Sequence, residues 1–325
     1  MTELQTTWTW LIAVYLFLGG LGAGAMCTTA IIGLASGERF KNTIRFGSWT
    51  GAVAIAVGTL FLLIDVGKPF RALVLFRSFV NFDSWMAIGA WLLMAVLLIN
   101  GVSALMWTDA IRAWLQRLWK PLADKRRIWR YALAAIAIPL NLCVAAYTGI
   151  LIGVLPFRPL WNTWLLPMLF TVSALDTGVG LVTAFFTLRE PASNTRRLRI
   201  ILEACIIALI ASEAVVLGFF LTDALRRSPD AALSAQTLIS GVLGPAFWIA
   251  VVGLGLGLPL LVCVSQLSGL LKRNKTAAVV VPLVGVVGCL IGGWMLRFLV
   301  LSAGQAASLS SPAMAQIRDG VRFIP

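Results

Sequence analysis

Apolar positions in this chain neither alternate nor recur on one face; they run in long unbroken blocks near 8–35, 47–65, 84–106, 131–153, 162–187, 200–222, 239–267 and 278–302, separated by short polar connections. A helix needs about 20 apolar residues to cross the hydrocarbon core of a bilayer. In lipid every backbone polar group must find a partner within the protein, so each block reads as a helix. The pattern predicts an all-α polytopic membrane protein: a bundle of about eight transmembrane helices in a single integral membrane domain, 1–325. The block at 239–267 carries Pro245, Pro259 and the series Gly253, Gly255, Gly257, so it is expected to be tilted or broken. No tandem repeat, low-complexity stretch or appended soluble domain is visible.

Inside the first block, YLFLGGLGAGAM (15–26) poses a choice between a phosphate cradle and a packing seam. A dinucleotide loop follows a strand and opens a helix. This stretch does neither, because it lies within a membrane helix. There Gly20 and Gly24, with Gly19 and Ala23 beside them, form a small-xxx-small face that lets another helix backbone come close.

Composition agrees with the pattern: 60% hydrophobic, 12% charged, mean hydropathy +0.93. The formal charge of +13 first reports orientation in a membrane protein. Basic residues concentrate in alternate connections: Arg39, Lys41 and Arg45; Arg112 to Arg130; Arg189 to Arg199; and Lys272 to Lys275. The opposite connections hold fewer. By the positive-inside rule both termini are expected on the non-cytoplasmic side of the cytoplasmic (inner) membrane. The start MTELQTTWTW lacks the basic n-region of a cleaved signal peptide, so the first helix is expected to be retained. The tryptophan- and cation-rich stretch 107–130 is read as lying at headgroup level rather than on nucleic acid.

The sequence has no histidine, so it offers none of the usual ligands of a b-type haem between membrane helices. Its five cysteines lie singly in separate apolar blocks, which excludes the clustered thiolates of an iron–sulfur or zinc site and favours buried packing roles.

Ionisable residues within a bilayer are expensive and need a partner, a cavity or a function. Asp176, Glu203, Glu213 and Arg297 qualify. Glu213 and Arg297 are expected at similar depth as an ion pair. Two readings stand: structural pairing between helices, or a proton path through Glu203, Asp176 and Glu213. A second concentration, IDVGKPFRALVLFRS (64–78), puts Asp65, Lys68, Arg71 and Arg77 where the second helix leaves the membrane. It reads either as a snorkelling helix end or as a docking loop for a soluble partner. A third is NLCVAAYTGILIG (141–153), whose Tyr147 is one of three tyrosines and a candidate hydrogen-bond donor to a quinone carbonyl.

YLFLGGLGAGA, DVGKPFR, YTGILIG with PLWNTWLLPMLFTVSALDTG, EAVVLG and GGWMLRFLVLSAGQ, in this order over nearly the whole sequence, resemble the NrfD/PsrC family of membrane subunits, best known from polysulphide reductase. The resemblance implies a haem-free, quinol-oxidising or quinone-reducing subunit of a respiratory oxidoreductase complex. Menaquinol or ubiquinol would bind near the outer face, and electrons would pass to a ferredoxin-like iron–sulfur subunit serving a molybdopterin-type or multihaem catalytic subunit. By position Tyr147 matches the family's quinone-site tyrosine, and Asp65, Lys68 and Arg71 match the charged loop beside the partner's cluster. In that scheme Tyr147 orients the quinol, Asp65 takes its proton, and Lys68 and Arg71 stabilise a quinol anion. Some relatives place a histidine in the first helix; here Gln305, Ser84, Trp10 and Tyr15, at the same depth, are the candidates for the second carbonyl partner. The readings that compete with this one are a passive anchor and a multi-span transporter built around VVGLGLGLP (251–259).

Overall fold

The computed structural model describes residues 10–65, 85–109, 125–155, 158–190, 195–268 and 275–310. Among them are nine helices of substance: α1 (Trp10–Ser36), α2 (Lys41–Asp65), α3 (Trp85–Met106), α4 (Arg126–Gly153), α5 (Leu165–Arg189), α6 (Arg196–Arg227), α7 (Pro229–Ile239), α8 (Gly244–Leu267) and α9 (Lys275–Ser310). Eight are long and apolar enough to cross a membrane; α7 is not.

The helices run antiparallel in sequence, and polar contacts at each end show it. At one end Lys41 pairs with Asp109, Arg130 with Glu38, and Thr43 Oγ1 donates to Glu190 at 3.1 Å. Arg126 and Arg130 both donate to the Met106 carbonyl, closing the C-terminus of α3, and Arg130 stacks over Trp107. This basic end is continuous with the helices: α2 and α4 begin at Lys41 and Arg126, ahead of the apolar blocks that start near 47 and 131. Long basic side chains extend a helix to headgroup level while their stems stay in apolar surroundings. At the opposite end Arg158 donates to the carbonyls of Gly304 and Gln305, Trp161 Nε1 to Val300 at 2.9 Å, and Arg227 to Pro159 and Asn162. Trp10 and Phe61, near the ends of α1 and α2, meet edge to face there.

The core is α1, which packs on α2, α4, α5 and α9. Its glycines decide how closely. A Cβ on Gly24 would lie 2.0 Å from the Ala174 carbonyl oxygen of α5, and one on Gly178 would lie 2.2 Å from the Gly24 carbonyl carbon. On another face Gly22 meets Gly51 and Ile55 of α2. The seam therefore serves two neighbours. Without a hydrophobic drive between helices in lipid, such backbone contact supplies the attraction. Between α3 and α4 the buried amides of Asn100 and Asn141 donate to each other at 2.9 Å both ways. Such pairs contribute about 0.6–2 kcal/mol in membranes.

The block read as 239–267 divides. Residues up to Ile239 belong to α7, which is capped by the Ser228 hydroxyl accepting from the Ala231 N–H, with Pro229 at its first turn. The span proper starts at Gly244, and Phe247–Gly257 is wound as a π-helix before Leu258–Leu267 returns to α. Gly255 there touches Gly292 of α9, each leaving under 3 Å for the other's Cβ. Three glycines without side chains to pack against the preceding turn let the backbone take this wider winding.

Candidate functional site

The four ionisable residues inside the span region converge on α5, α6, α8 and α9. On α9, Cys289, Gly293 and Arg297 recur every four residues and so share a face; on α5, Ser173, Asp176, Thr177 and Gly180 share one through i, i+3, i+4, i+7 spacing. The buried stripe of α6 runs Glu203, Ile206, Ile210, Glu213, Leu217, Phe220, which puts both carboxylates toward the bundle. Asp176, Glu203, Glu213 and Arg297 are all buried, the guanidinium completely.

Arg297 donates to the Gly293 carbonyl at 2.6 Å, to Ser173 Oγ at 3.3 Å and to the Phe170 carbonyl at 3.4 Å. Its guanidinium also lies 5.3 Å from the Phe170 ring centroid and 5.8 Å from that of Phe17. Room for it comes from Gly20 of α1, where a Cβ would fall 2.8 Å from Nη2. The ion pair expected between Glu213 and Arg297 does not form within 4.0 Å. The Ser173 hydroxyl stands between them, in contact with both, and the charges interact across it. Cys289 Sγ donates to Asp176 Oδ2 at 3.2 Å. Asp176 Oδ1, Glu203 Oε1 and Arg297 Nε have no hydrogen-bond partner, and each such buried atom costs about 1–3 kcal/mol unless something reaches it.

Two cavities adjoin these groups. The larger, about 30 Å³, lies among α5, α6, α8 and α9 and is lined by Glu203, Thr183, Thr187, Gln266, Cys263 and Cys289 among others. The smaller, about 10 Å³, is lined by Ser173, Asp176, Thr177, Glu213, Cys289 and the π-wound wall of α8 with Gly255. The transition from buried carboxylate to buried guanidinium is thus a series of polar groups rather than one pair.

At the opposite end, Tyr147 of α4 donates its hydroxyl proton to the Trp85 carbonyl at 3.1 Å. Its ring lies in a notch left by Gly89 of α3, where a Cβ would fall 1.8 Å from the hydroxyl. The phenol oxygen keeps its lone pairs as acceptors. Tyr15, almost fully buried, lies within electrostatic range of Tyr147. At the basic end the hydrogen bond from Lys41 holds the Asp109 carboxyl below the ordinary aspartate range, and the charges of Lys41, Arg126 and Arg45 add to it.

A family model described as "Polysulphide reductase, NrfD" matches residues 2–308. The chain belongs to the NrfD polysulphide reductase family. It is 28% identical to the C subunit of the polysulfide reductase of Wolinella succinogenes over 92% of its own length and 94% of that relative's. It is 27% identical to protein NrfD of Escherichia coli over 92% and 95%. A shorter likeness, 24% over 77% of this protein and 60% of the relative, reaches the Hdr-like menaquinol oxidoreductase integral membrane subunit of Archaeoglobus fulgidus. Family and helices together make this a multi-pass membrane protein.

In this NrfD-family protein the residues singled out from sequence fall into separate groups. Asp176, Glu203, Glu213 and Arg297 come together around the two cavities. Tyr147, Tyr15 and Trp10 lie on α4 and α1 toward the end opposite the basic one. Gln305 instead is tied through its carbonyl to Arg158, beside Trp161. Asp65 is the last residue of α2, and Lys68, Arg71, Arg77 and Ser84 lie outside the described residues. The cysteines divide as well: Cys27, Cys263 and Cys289 are buried, while Cys143 and Cys205 are exposed on outer helix faces. Sequence reasoning missed Cys289 and Ser173. The signal was present in the four-residue spacing from Cys289 through Gly293 to Arg297 and in the nearness of Ser173 to Asp176.

Proposed function

We propose that this protein is the quinone-reactive membrane subunit of a respiratory oxidoreductase complex, oxidising menaquinol or ubiquinol, or reducing the quinone in reverse. It exchanges electrons with an iron–sulfur subunit that serves a molybdopterin-type or multihaem catalytic subunit. The observation that carries this reading is the family match across nearly the whole sequence, joined by a relative named as a menaquinol oxidoreductase subunit. By the positive-inside rule the basic end faces the cytoplasm, and the quinol site and partner subunits lie on the periplasmic side.

Oxidising a quinol releases two electrons, which leave through the partner, and two protons, which the protein must receive. Tyr147 suits a quinol better than a quinone: its proton is engaged by the Trp85 carbonyl, so its oxygen accepts from a quinol hydroxyl. Tyr15 and Trp10 line the same region of α1, with Ser84 and Gln305 as further hydrogen-bond candidates. Asp65 is the proposed proton acceptor, and Lys68, Arg71 and Arg77 are the proposed electrostatic and docking residues.

Glu203, Asp176, Glu213 and Arg297 form the proposed proton path between the two ends. Support comes from their burial together, the unpartnered oxygens of Asp176 and Glu203, and two adjoining cavities, the larger of which has room for water. Purifying the complex and reconstituting it in liposomes tests both parts. Quinol should reduce the co-purified iron–sulfur subunit, and Tyr147→Phe and Asp65→Asn should slow that reduction. A complex isolated with its partners yet inert toward quinol would return the protein to the passive-anchor reading. Glu203→Gln should lower the protons translocated per two electrons.

A further inference from the structure

Cys289 lines both cavities. On one side lies Glu203; on the other lie Asp176 and Glu213. The sulfur hydrogen-bonds Asp176 Oδ2, leaving Oδ1 without a partner, and a Cβ on Gly180 of α5 would meet the sulfur at 3.7 Å. The titratable groups around it are Asp176 of α5, Glu203 and Glu213 of α6, Cys263 of α8 and Arg297 of α9. A thiol in this position is more than a small residue filling space, because it holds a buried carboxyl whose other oxygen has no partner and itself faces the cavity that Glu203 also lines.

We propose that Cys289 is the positioning residue of the internal path: its thiol holds the Asp176 carboxyl by one oxygen and forms the constriction between the Glu203 cavity and the Asp176–Glu213 cavity, so protons pass between the two carboxyls beside this sulfur. The inference rests on the proton-path reading above. In each transfer one protonated carboxyl becomes a carboxylate and the other carboxylate becomes a carboxyl. The thiol keeps its own proton, and no electrons pass through it. A serine can replace the donor, since its hydroxyl is smaller and still donates; a valine removes the donor and fills the constriction with methyl groups.

The test uses the whole complex in liposomes, with quinol oxidation and proton translocation followed together. Cys289→Ser should keep the ratio of protons to electrons, and Cys289→Val should lose most of it. A full ratio in Cys289→Val overturns the inference. Glu203→Gln and Asp176→Asn in the same assay separate the levels. If both leave the ratio unchanged, the path itself fails; if both lower it while Cys289→Val does not, only the role of the sulfur fails. Infrared spectra give a readout that merely structural packing would not move and that does not depend on Cys289→Val assembling. The S–H stretching band assigned by its loss in Cys289→Ser should shift in Asp176→Asn, where an amide replaces the carboxyl acceptor; an unshifted band overturns the proposed hydrogen-bonded role.

Discussion

Replacing Gly24 by alanine perturbs the seam that holds α1 against α5. The added Cβ would sit 2.0 Å from the Ala174 carbonyl oxygen and 3.1 Å from the Gly178 Cα. Ordinary contact begins near 3.4 Å, so α1 and α5 must part locally by about 1.4 Å. The obstacle is backbone, which cannot turn aside as a side chain would. Overpacking costs typically about 1–3 kcal/mol, and a rigid backbone obstacle puts this case at the upper end. For a protein of this size each kcal/mol shifts the midpoint by about 2 °C, so the unfolding midpoint in detergent should fall by about 6 °C. Gly101→Ala on α3 is the control. Nothing lies within 4 Å of its Cβ, and alanine is favoured over glycine in helices by about 1 kcal/mol, so that variant should be neutral or slightly more stable. Equal midpoints for Gly24→Ala and Gly101→Ala would refute the close approach of α1 to α5.

Tyr147→Phe removes an acceptor worth about 1 kcal/mol, so kcat/KM for quinol should fall by roughly fivefold; an unchanged value rules out contact between this oxygen and quinol. Arg297→Met leaves Glu213 without its buried counter-charge and should cost about 3–5 kcal/mol, part of which Glu213→Gln should restore in the same background. Absence of any restoration in thermal inactivation would mean the two charges are not coupled. Asp109 titrates below its ordinary range because Lys41 donates to it. Its contribution to stability is therefore complete above the ordinary aspartate pKa and is lost as pH falls through the lowered one. The difference in midpoint between the wild type and Asp109→Asn should be constant near neutral pH and close in acid; a difference independent of pH would contradict the Lys41 contact.

The number, type and approximate limits of the membrane helices were legible in the sequence, because a bilayer demands long apolar runs and leaves little else for them to form. The polar contacts among Lys41, Asp109, Glu38 and Arg130 join the connections after the first and third helices at one end of the bundle. The reading of YLFLGGLGAGAM as a packing seam followed from its place inside a helix. What sequence spacing could not supply was partnership across helices. Separation in depth placed Glu213 near Arg297, but only the packed bundle shows Ser173 between them and Arg297 occupying the space left by Gly20. The same holds for Cys289, which reads in isolation as a small apolar residue and becomes Asp176's hydrogen-bond partner through the rotation of α9 against α5. Helix rotation is set by side-chain and backbone contacts distant in sequence. Local hydrophobicity therefore determined which segments cross the membrane, whereas close packing between those segments decided which polar groups meet.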